Sequence, residues 1–383
     1  MAGLYLHIPF CKQACHYCDF HFSTSKRPEL RAAVLGAMER ELARQVNYLG
    51  GRSVHTVYVG GGTPSLLTDR ELGDLFDAVH RHYTVTPDAK GAPPEITLEA
   101  NPDDLTAARL AAWRAAGVNR LSIGIQTFHE PHLRYLNRAH NRQQALVGVR
   151  RAQDAGFEDL TIDLIWAIPH PDHSVWRSDL ATALALDVPH VSAYCLTIEP
   201  RTVFGRRLQK GELLPVTDDF AAEQFDRLVT TLTAHGYEHY EVSNFARPGR
   251  YARHNCNYWR GVPYLGIGPS AHSYDGHSRQ HNVPNNGTYV RALAGGELPA
   301  TRETLTPTEA ANEYLMTSLR TQWGCDWAYL TRRWHLPPTA EQRQLLRQYE
   351  AWGSVRREGE LVYLTHRGKL LADQIAADLF YDA

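Results

Sequence analysis

Three cysteines stand within eight residues of one another, in the segment Cys11-Lys-Gln-Ala-Cys15-His-Tyr-Cys18. Thiolates are soft ligands that suit iron–sulfur clusters or zinc. A cubane cluster held by three cysteines keeps one iron open, and a small molecule carrying an amine and a carboxylate can chelate that iron. Zinc, with His16 or His21 as the fourth ligand, is the alternative. Zinc knuckles usually come with a second, distant pair, whereas Cys195, Cys256 and Cys325 are scattered. The spacing therefore favours the cluster over zinc, and either over three merely buried cysteines. In a reducing compartment such a group argues for metal or redox chemistry and against disulfides.

The elements that must position these residues follow a regular pattern. Strands are expected over Gly3–Ile8, Val54–Val59, Glu95–Glu99, Arg120–Gly124, Leu160–Ile165 and His190–Cys195, from their short β-branched runs. Helices are expected between them over Pro28–Leu49, Asp69–His82, Leu105–Ala116, Arg142–Ala155 and Val175–Leu186. Thr68-Asp-Arg-Glu71 reads as a capping box, and Gly117 and Gly156 stand at helix C-caps. Alternating strands and helices imply right-handed crossovers and a parallel sheet, open or closing into a partial barrel. Ligands then gather at the carboxyl ends of the strands, where the cysteine loop lies directly after the first one.

Beyond residue 200 the regularity weakens. Asp218–His235 is a helix, and Tyr237–Asn286 is a long, aromatic, glycine-rich stretch expected to be irregular and functional. Helices follow over Pro307–Thr321 and Thr339–Tyr349, then a strand pair, Val355–Arg357 and Leu361–Leu364, and a last helix, Thr365–Phe380. The ending suggests a winged-helix-like module. The expected organisation is a core over 1–235, an irregular connecting region over 236–300 and a small α+β domain over 301–383.

The strand ends carry further motifs. Gly60-Gly-Gly-Thr-Pro64 ends the second strand and Glu99-Ala-Asn-Pro102 the third. Gly124-Ile-Gln126-Thr-Phe ends the fourth, with Arg138 beyond it in Leu136-Asn-Arg-Ala, and Asp163-Leu-Ile ends the fifth. With Tyr5-Leu-His-Ile-Pro-Phe-Cys11 and the C-x3-C-x2-C loop, this set resembles the radical S-adenosylmethionine (SAM) family, in its coproporphyrinogen III dehydrogenase-like branch. The resemblance runs along nearly the whole chain. It implies a partial (β/α)6 barrel, a [4Fe-4S] cluster on Cys11, Cys15 and Cys18, and SAM contacts from Tyr5, Tyr17, Gly61, Gly62, Thr63, Glu99, Gln126, Arg138 and Asp163. The chemistry of those residues agrees with such roles. Glycines let backbone amides approach a ligand, carboxylates suit ribose hydroxyls or an ammonium, and Gln126 and Arg138 suit a carboxylate.

Within this branch the chain is similar to the HemW-type haem chaperones rather than the dehydrogenases. The dehydrogenases carry a further cysteine after the cluster motif, whereas Asp19 and Phe20 follow Cys18 here. They also carry an N-terminal extension that helps enclose substrate, whereas here the first strand is expected to begin near Tyr5. Finally, His254-Asn-Cys-Asn-Tyr-Trp259 matches the H-N-x-x-Y-W signature that resembles the chaperones' haem site. An imidazole can ligate haem iron and aromatics can stack on the macrocycle, so the resemblance implies haem contacts from His254, Tyr258 and Trp259, with Cys256 and His272 as further candidates. The expected cofactors are the cluster, SAM and haem, and the expected role is delivery of haem to haem-requiring proteins, respiratory enzymes at the membrane among them. The competing reading is an oxygen-independent coproporphyrinogen III dehydrogenase. A radical SAM methyltransferase would need an acceptor site that the sequence does not display.

Composition narrows the remaining classes. With 40 basic and 42 acidic residues the net charge is −2, which leaves no broad footprint for nucleic acid. No apolar run reaches the length of a membrane span, and the first ten residues lack a signal-peptide pattern. A cytoplasmic monomer or homodimer is the resulting expectation.

Overall fold

The structure, a computed structural model, describes residues 1–382. Six parallel strands form its centre: β1 (Ala2–Ile8), β2 (Val54–Gly61), β3 (Glu95–Ala100), β4 (Arg120–Gln126), β5 (Asp159–Trp166) and β6 (His190–Cys195). They lie side by side in chain order, as consecutive right-handed βαβ crossovers require. One face of each strand is aliphatic. Leu4, Val57, Leu98, Leu121, Ile162 and Val191 are at most 2% exposed, packed under the helices Pro28–Arg44, Asp69–His82, Ala107–Ala115, Arg142–Asp154 and Ser174–Ala185. The alternate positions face inward and are largely polar, and the sheet curls around a cavity that they line instead of a filled core. Thr68 and Glu71 close the expected capping box at the start of Asp69–His82.

The stretch Tyr237–Asn286 is not irregular. It supplies β7 (Glu238–Glu241), β8 (Asn244–Ala246), the helix Arg253–Trp259, β9 (Tyr264–Ile267), β10 (His272–Tyr274) and β11 (Ser278–Asn282). β9 joins β1 in parallel and β8 joins β6 antiparallel, so the stretch extends both edges of the barrel sheet. With β12 (Ala300–Thr304) the result is one 12-stranded sheet in the order β12-β11-β10-β9-β1-β2-β3-β4-β5-β6-β8-β7. Residues 236–300 are therefore built into the same sheet as residues 1–235. Strands of three to five residues show no readable alternation, and they exist here because a barrel edge offers them unpaired backbone.

A separate small core follows. β13 (Cys325–Asp326), β14 (Val355–Glu358) and β15 (Leu361–Leu364) pair antiparallel in the order β13-β15-β14. Around them pack the helices Pro307–Leu319, Trp327–Trp334 and Ala340–Ala351, giving a winged-helix-like unit. The expected last helix is divided into His366–Lys369 and Ala372–Asp378. The unit is tied to the barrel edge: Val242 N donates to Arg320 O (3.0 Å), Gln322 N to Tyr240 O (2.9 Å), and Arg320 Nε lies 3.2 Å from Glu241. Among the described residues, no helix is long and apolar enough to cross a membrane.

Candidate functional site

The loop after β1 folds back on itself. Ser23 N donates to Pro9 O and Cys11 N to Ser23 O, which leaves Cys11, Cys15 and Cys18 as free, half-buried thiols. A second wall holds the loop from outside: His16 N donates to Leu136 O and Asn137 Nδ2 to Ala14 O (2.6 Å). Asn137 has a left-handed backbone (φ 57°), a conformation Asn tolerates better than most residues. His16 is engaged elsewhere, its Nδ1 2.9 Å from Tyr135 O, and His21 Nε2 lies 2.8 Å from Asn286 Oδ1. Among the described residues, no three side chains of His, Cys, Asp or Glu converge on a point suited to a single ion. Burial pushes the thiol of Cys11 up to about 11 and that of Cys18 up to about 12, so loading a metal there releases protons.

The three cysteines line the mouth of a cavity of about 620 Å³ enclosed by β2 to β6. Arg138 spans its rim. Its Nη1 is 3.2 Å from Cys15 Sγ and 3.4 Å from the Tyr17 hydroxyl, and its Nη2 donates to Asn101 Oδ1 and Gly124 O, both at 2.7 Å. Its Nε is buried without a partner among the described residues. A guanidinium beside a thiol, with a donor to spare, suits an anionic cluster and a carboxylate-bearing ligand. Deeper in, Glu99 accepts from the Tyr58 hydroxyl (2.8 Å) and Gly61 N (3.1 Å), and Asp163 from Ser122 Oγ (3.2 Å). Burial inside the barrel raises both carboxyls to about 7 in spite of those bonds. The pair can therefore accept hydroxyls, or an ammonium, while exchanging protons near neutrality.

The glycines of the second strand are required by packing. Gly61 has φ 108°, and a Cβ there would stand 2.8 Å from the His7 ring. A Cβ on Gly62 would stand 2.7 Å from Phe10 O and 2.9 Å from Ile8 O, beside the start of the cysteine loop. The glycine loop and the cysteine loop are thus seated on each other, and Gly62 N donates to Ile8 O (2.8 Å).

The H-N-x-x-Y-W motif lies at the opposite end of the barrel. Its helix, Arg253–Trp259, plugs the amino-terminal ends of β1 to β3. Glu95 at the start of β3 accepts Arg253 N (2.9 Å) and His254 N (2.8 Å), placing a carboxylate on the helix's free N–H groups. His254 is 1% exposed. Its Nδ1 is 2.8 Å from Thr56 Oγ1 and its Nε2 is 2.8 Å from the Tyr258 hydroxyl. Desolvation lowers its pKa to about 3, so it is a neutral imidazole. Trp259 lies under the Arg320 guanidinium, 5.6 Å from the ring centre.

Of the residues singled out for SAM, Tyr17, Gly61, Gly62, Thr63, Glu99, Gln126, Arg138 and Asp163 line this one cavity, together with the three cysteines. Tyr5 does not line it: its ring stacks behind Tyr58 (6.0 Å between centroids) and its hydroxyl is 3.2 Å from His7 Nδ1. His254, Tyr258 and Trp259 do not line it either, but Asn255 of the same helix does. Where an irregular loop with an open imidazole was expected, there is a docked helix whose histidine has both nitrogens engaged. Tyr58, Asn101, Arg120, Ser192 and Tyr194 also line the cavity. Period-two alternation from Glu99 reaches Asn101, whereas Tyr58, Ser192 and Tyr194 stand on β2 and β6, where the sequence offered no charged anchor to count from.

Comparison with known proteins shows the family and the fold. The Radical SAM superfamily matches residues 5–179 and the HemN C-terminal domain matches residues 305–371. The chain is 35% identical to the heme chaperone HemW of Bacillus subtilis, with 98% of each chain covered. It is 38% identical to the heme chaperone HemW of Mycobacterium tuberculosis, with 98% of this chain and 94% of the relative covered. Among solved structures it shares its fold with the coproporphyrinogen III oxidase HemN of Escherichia coli, described as a radical SAM enzyme. That likeness has a TM-score of 0.85 at 23% identity, over 99% of this chain and 90% of the other.

Proposed function

Starting from a chain that belongs to the radical SAM superfamily and to its HemW group, we propose that this protein is a haem chaperone that holds a [4Fe-4S] cluster and SAM, binds haem and passes it to haem-requiring proteins. The observation that carries the reading is the free Cys11, Cys15 and Cys18 at the mouth of the cavity, with Arg138 against Cys15. A bound cluster would supply one iron open to the amine and carboxylate of SAM. Arg138 and Gln126 would orient that carboxylate, Glu99 and Asp163 would take hydroxyls or the ammonium, and Tyr17, Gly61, Gly62 and Thr63 would shape the wall. Tyr5 would act through Tyr58. The same chemistry could serve coproporphyrinogen III oxidation. The residues after Cys18 and the likeness to HemW chaperones favour haem delivery, with respiratory enzymes among the recipients and the cytoplasm as the compartment.

Haem ligation by His254, with Tyr258 and Trp259 against the macrocycle, belongs to the proposal on the strength of the motif. It requires the floor helix to leave Thr56 and Glu95, because both imidazole nitrogens are engaged where it now lies. The test uses anaerobically reconstituted protein with SAM, a reductant and coproporphyrinogen III. It is followed by mixing of the haem-loaded protein with an apo-haemoprotein. The expected result is no protoporphyrinogen and a Soret shift as haem moves to the acceptor. Protoporphyrinogen at an enzymatic rate would overturn the chaperone reading.

A further inference from the structure

The cavity continues below the carboxylates to a floor with chemistry of its own. Arg120, the first residue of β4, lines it and is 2% exposed. Among the described residues its one side-chain hydrogen-bond partner is Thr161 Oγ1, at 2.6 Å. Thr97, which pairs with Arg120 across β3 and β4, is 1% exposed, and its hydroxyl has no partner among the described residues. Asn255 completes the floor from the plugging helix. A buried guanidinium without an ion-pair partner and a buried, unpaired hydroxyl are both costly unless something fills the space between them.

We propose that this floor is a subsite for the carboxylate of a ligand other than SAM. Arg120 stands four residues before Gly124 on β4, so it lies about 13 Å below the rim where Arg138 and the cysteines are. A ligand held at the rim by its amino and carboxyl groups leaves Arg120 to another. The fork of Arg120 and the donors of Thr97 and Asn255 match a planar, singly charged acceptor. A dianion such as phosphate suits the floor less, because Glu99 and Asp163 stand above it and a single guanidinium balances a single charge. The ligand is either a small aliphatic acid or the propionate arm of a tetrapyrrole; both present the same group. The inference rests on the cavity and is independent of haem delivery.

Propionate is the probe, titrated by calorimetry at constant ionic strength into anaerobically reconstituted protein, with and without saturating SAM. Propionamide is the neutral isostere. The expected result is that propionate binds about ten-fold or more tightly than propionamide in both conditions. Arg120→Gln should erase that preference while iron content and SAM affinity hold. Thr97→Val, which removes an unpaired hydroxyl without changing shape, should weaken propionate several-fold in a protein at least as stable as the parent. Competition by haemin would identify a tetrapyrrole arm as the source and its absence a free acid, and either upholds the subsite. Equal affinity for propionate and propionamide, a preference that survives both variants, or a preference abolished by SAM would overturn it.

Discussion

The loop Cys11–Cys18 and the helix Arg253–Trp259 sit at opposite ends of one barrel and differ in what their polar atoms are free to do. The thiols of the loop face a cavity and are free of one another, with only Arg138 near Cys15, Thr63 on Cys11 and the Phe20 backbone on Cys18. The imidazole of the helix is buried and saturated by Thr56 and Tyr258. In sequence both segments carry a ligand signature. The difference teaches that a ligand signature specifies residue types and spacing, while the packing around it decides whether the ligand atoms are available. A helix docked on Glu95 holds the barrel closed in this conformation and offers no imidazole to iron until it moves.

The largest expected effect lies on the loop. Cys11→Ala, Cys15→Ala and Cys18→Ala should each abolish the iron–sulfur chromophore after anaerobic reconstitution, whereas Cys325→Ala, in the C-terminal core, should keep the full iron and sulfide count. Stoichiometric zinc without iron in the parent protein would break the comparison at its first term.

On the floor, His254→Ala should lower stability by about 2–4 kcal/mol, since it empties a packed site, takes the imidazole from the Tyr258 hydroxyl and leaves Thr56 Oγ1 with Asn257 alone. Urea melts measure the loss, and haemin titration of the same variant measures ligation. A changed Soret band together with unchanged stability would mean that the helix is undocked in solution and that the motif is a haem site first.

Between the two lies Gly62. Gly62→Ala should disturb iron binding and SAM binding together, at a cost of about 1–3 kcal/mol, because its Cβ strikes the backbone at Ile8 and Phe10 beside Cys11. Loss of SAM affinity with iron content intact would separate the two loops that the packing joins.

The smallest effect concerns pH. Glu99 and Asp163 have folded values raised to about 7, so the native state holds more protons than the unfolded one between about pH 4 and 7. Stability should fall as pH rises through that window and level off above it, by about 1 kcal/mol per carboxylate once water in the cavity screens the charge. Melts of one preparation at pH 5 and pH 8 check the sign, and Glu99→Gln should reduce the change by about half, leaving the share of Asp163.

Much of the barrel was legible because its signals are local. The starts and ends of β1 to β6 fall within two residues of those expected from β-branched runs, and Asp69–His82 begins and ends as its capping box and periodicity imply. Arg120 was not legible as a floor residue. A charged residue opening a strand ordinarily reads as surface, and its burial follows from the curl of the sheet and from the helix that closes the barrel beneath it. β8, three residues long, could not be read either, because its pairing partner β6 lies some fifty residues back in the chain.

The sequence by itself determined the strand–helix alternation, the cysteine loop after the first strand and the carboxylates and arginine that meet at the strand ends. Those depend on hydrophobic period, capping and spacing, which act over a few residues. The tertiary structure alone decided that Tyr5 stands behind Tyr58, that Tyr237–Asn286 completes the sheet and that His254 is spent on holding a helix in place. Each of these depends on which buried polar atoms find partners far away in the chain, and a low-dielectric interior makes that pairing too costly to leave undone.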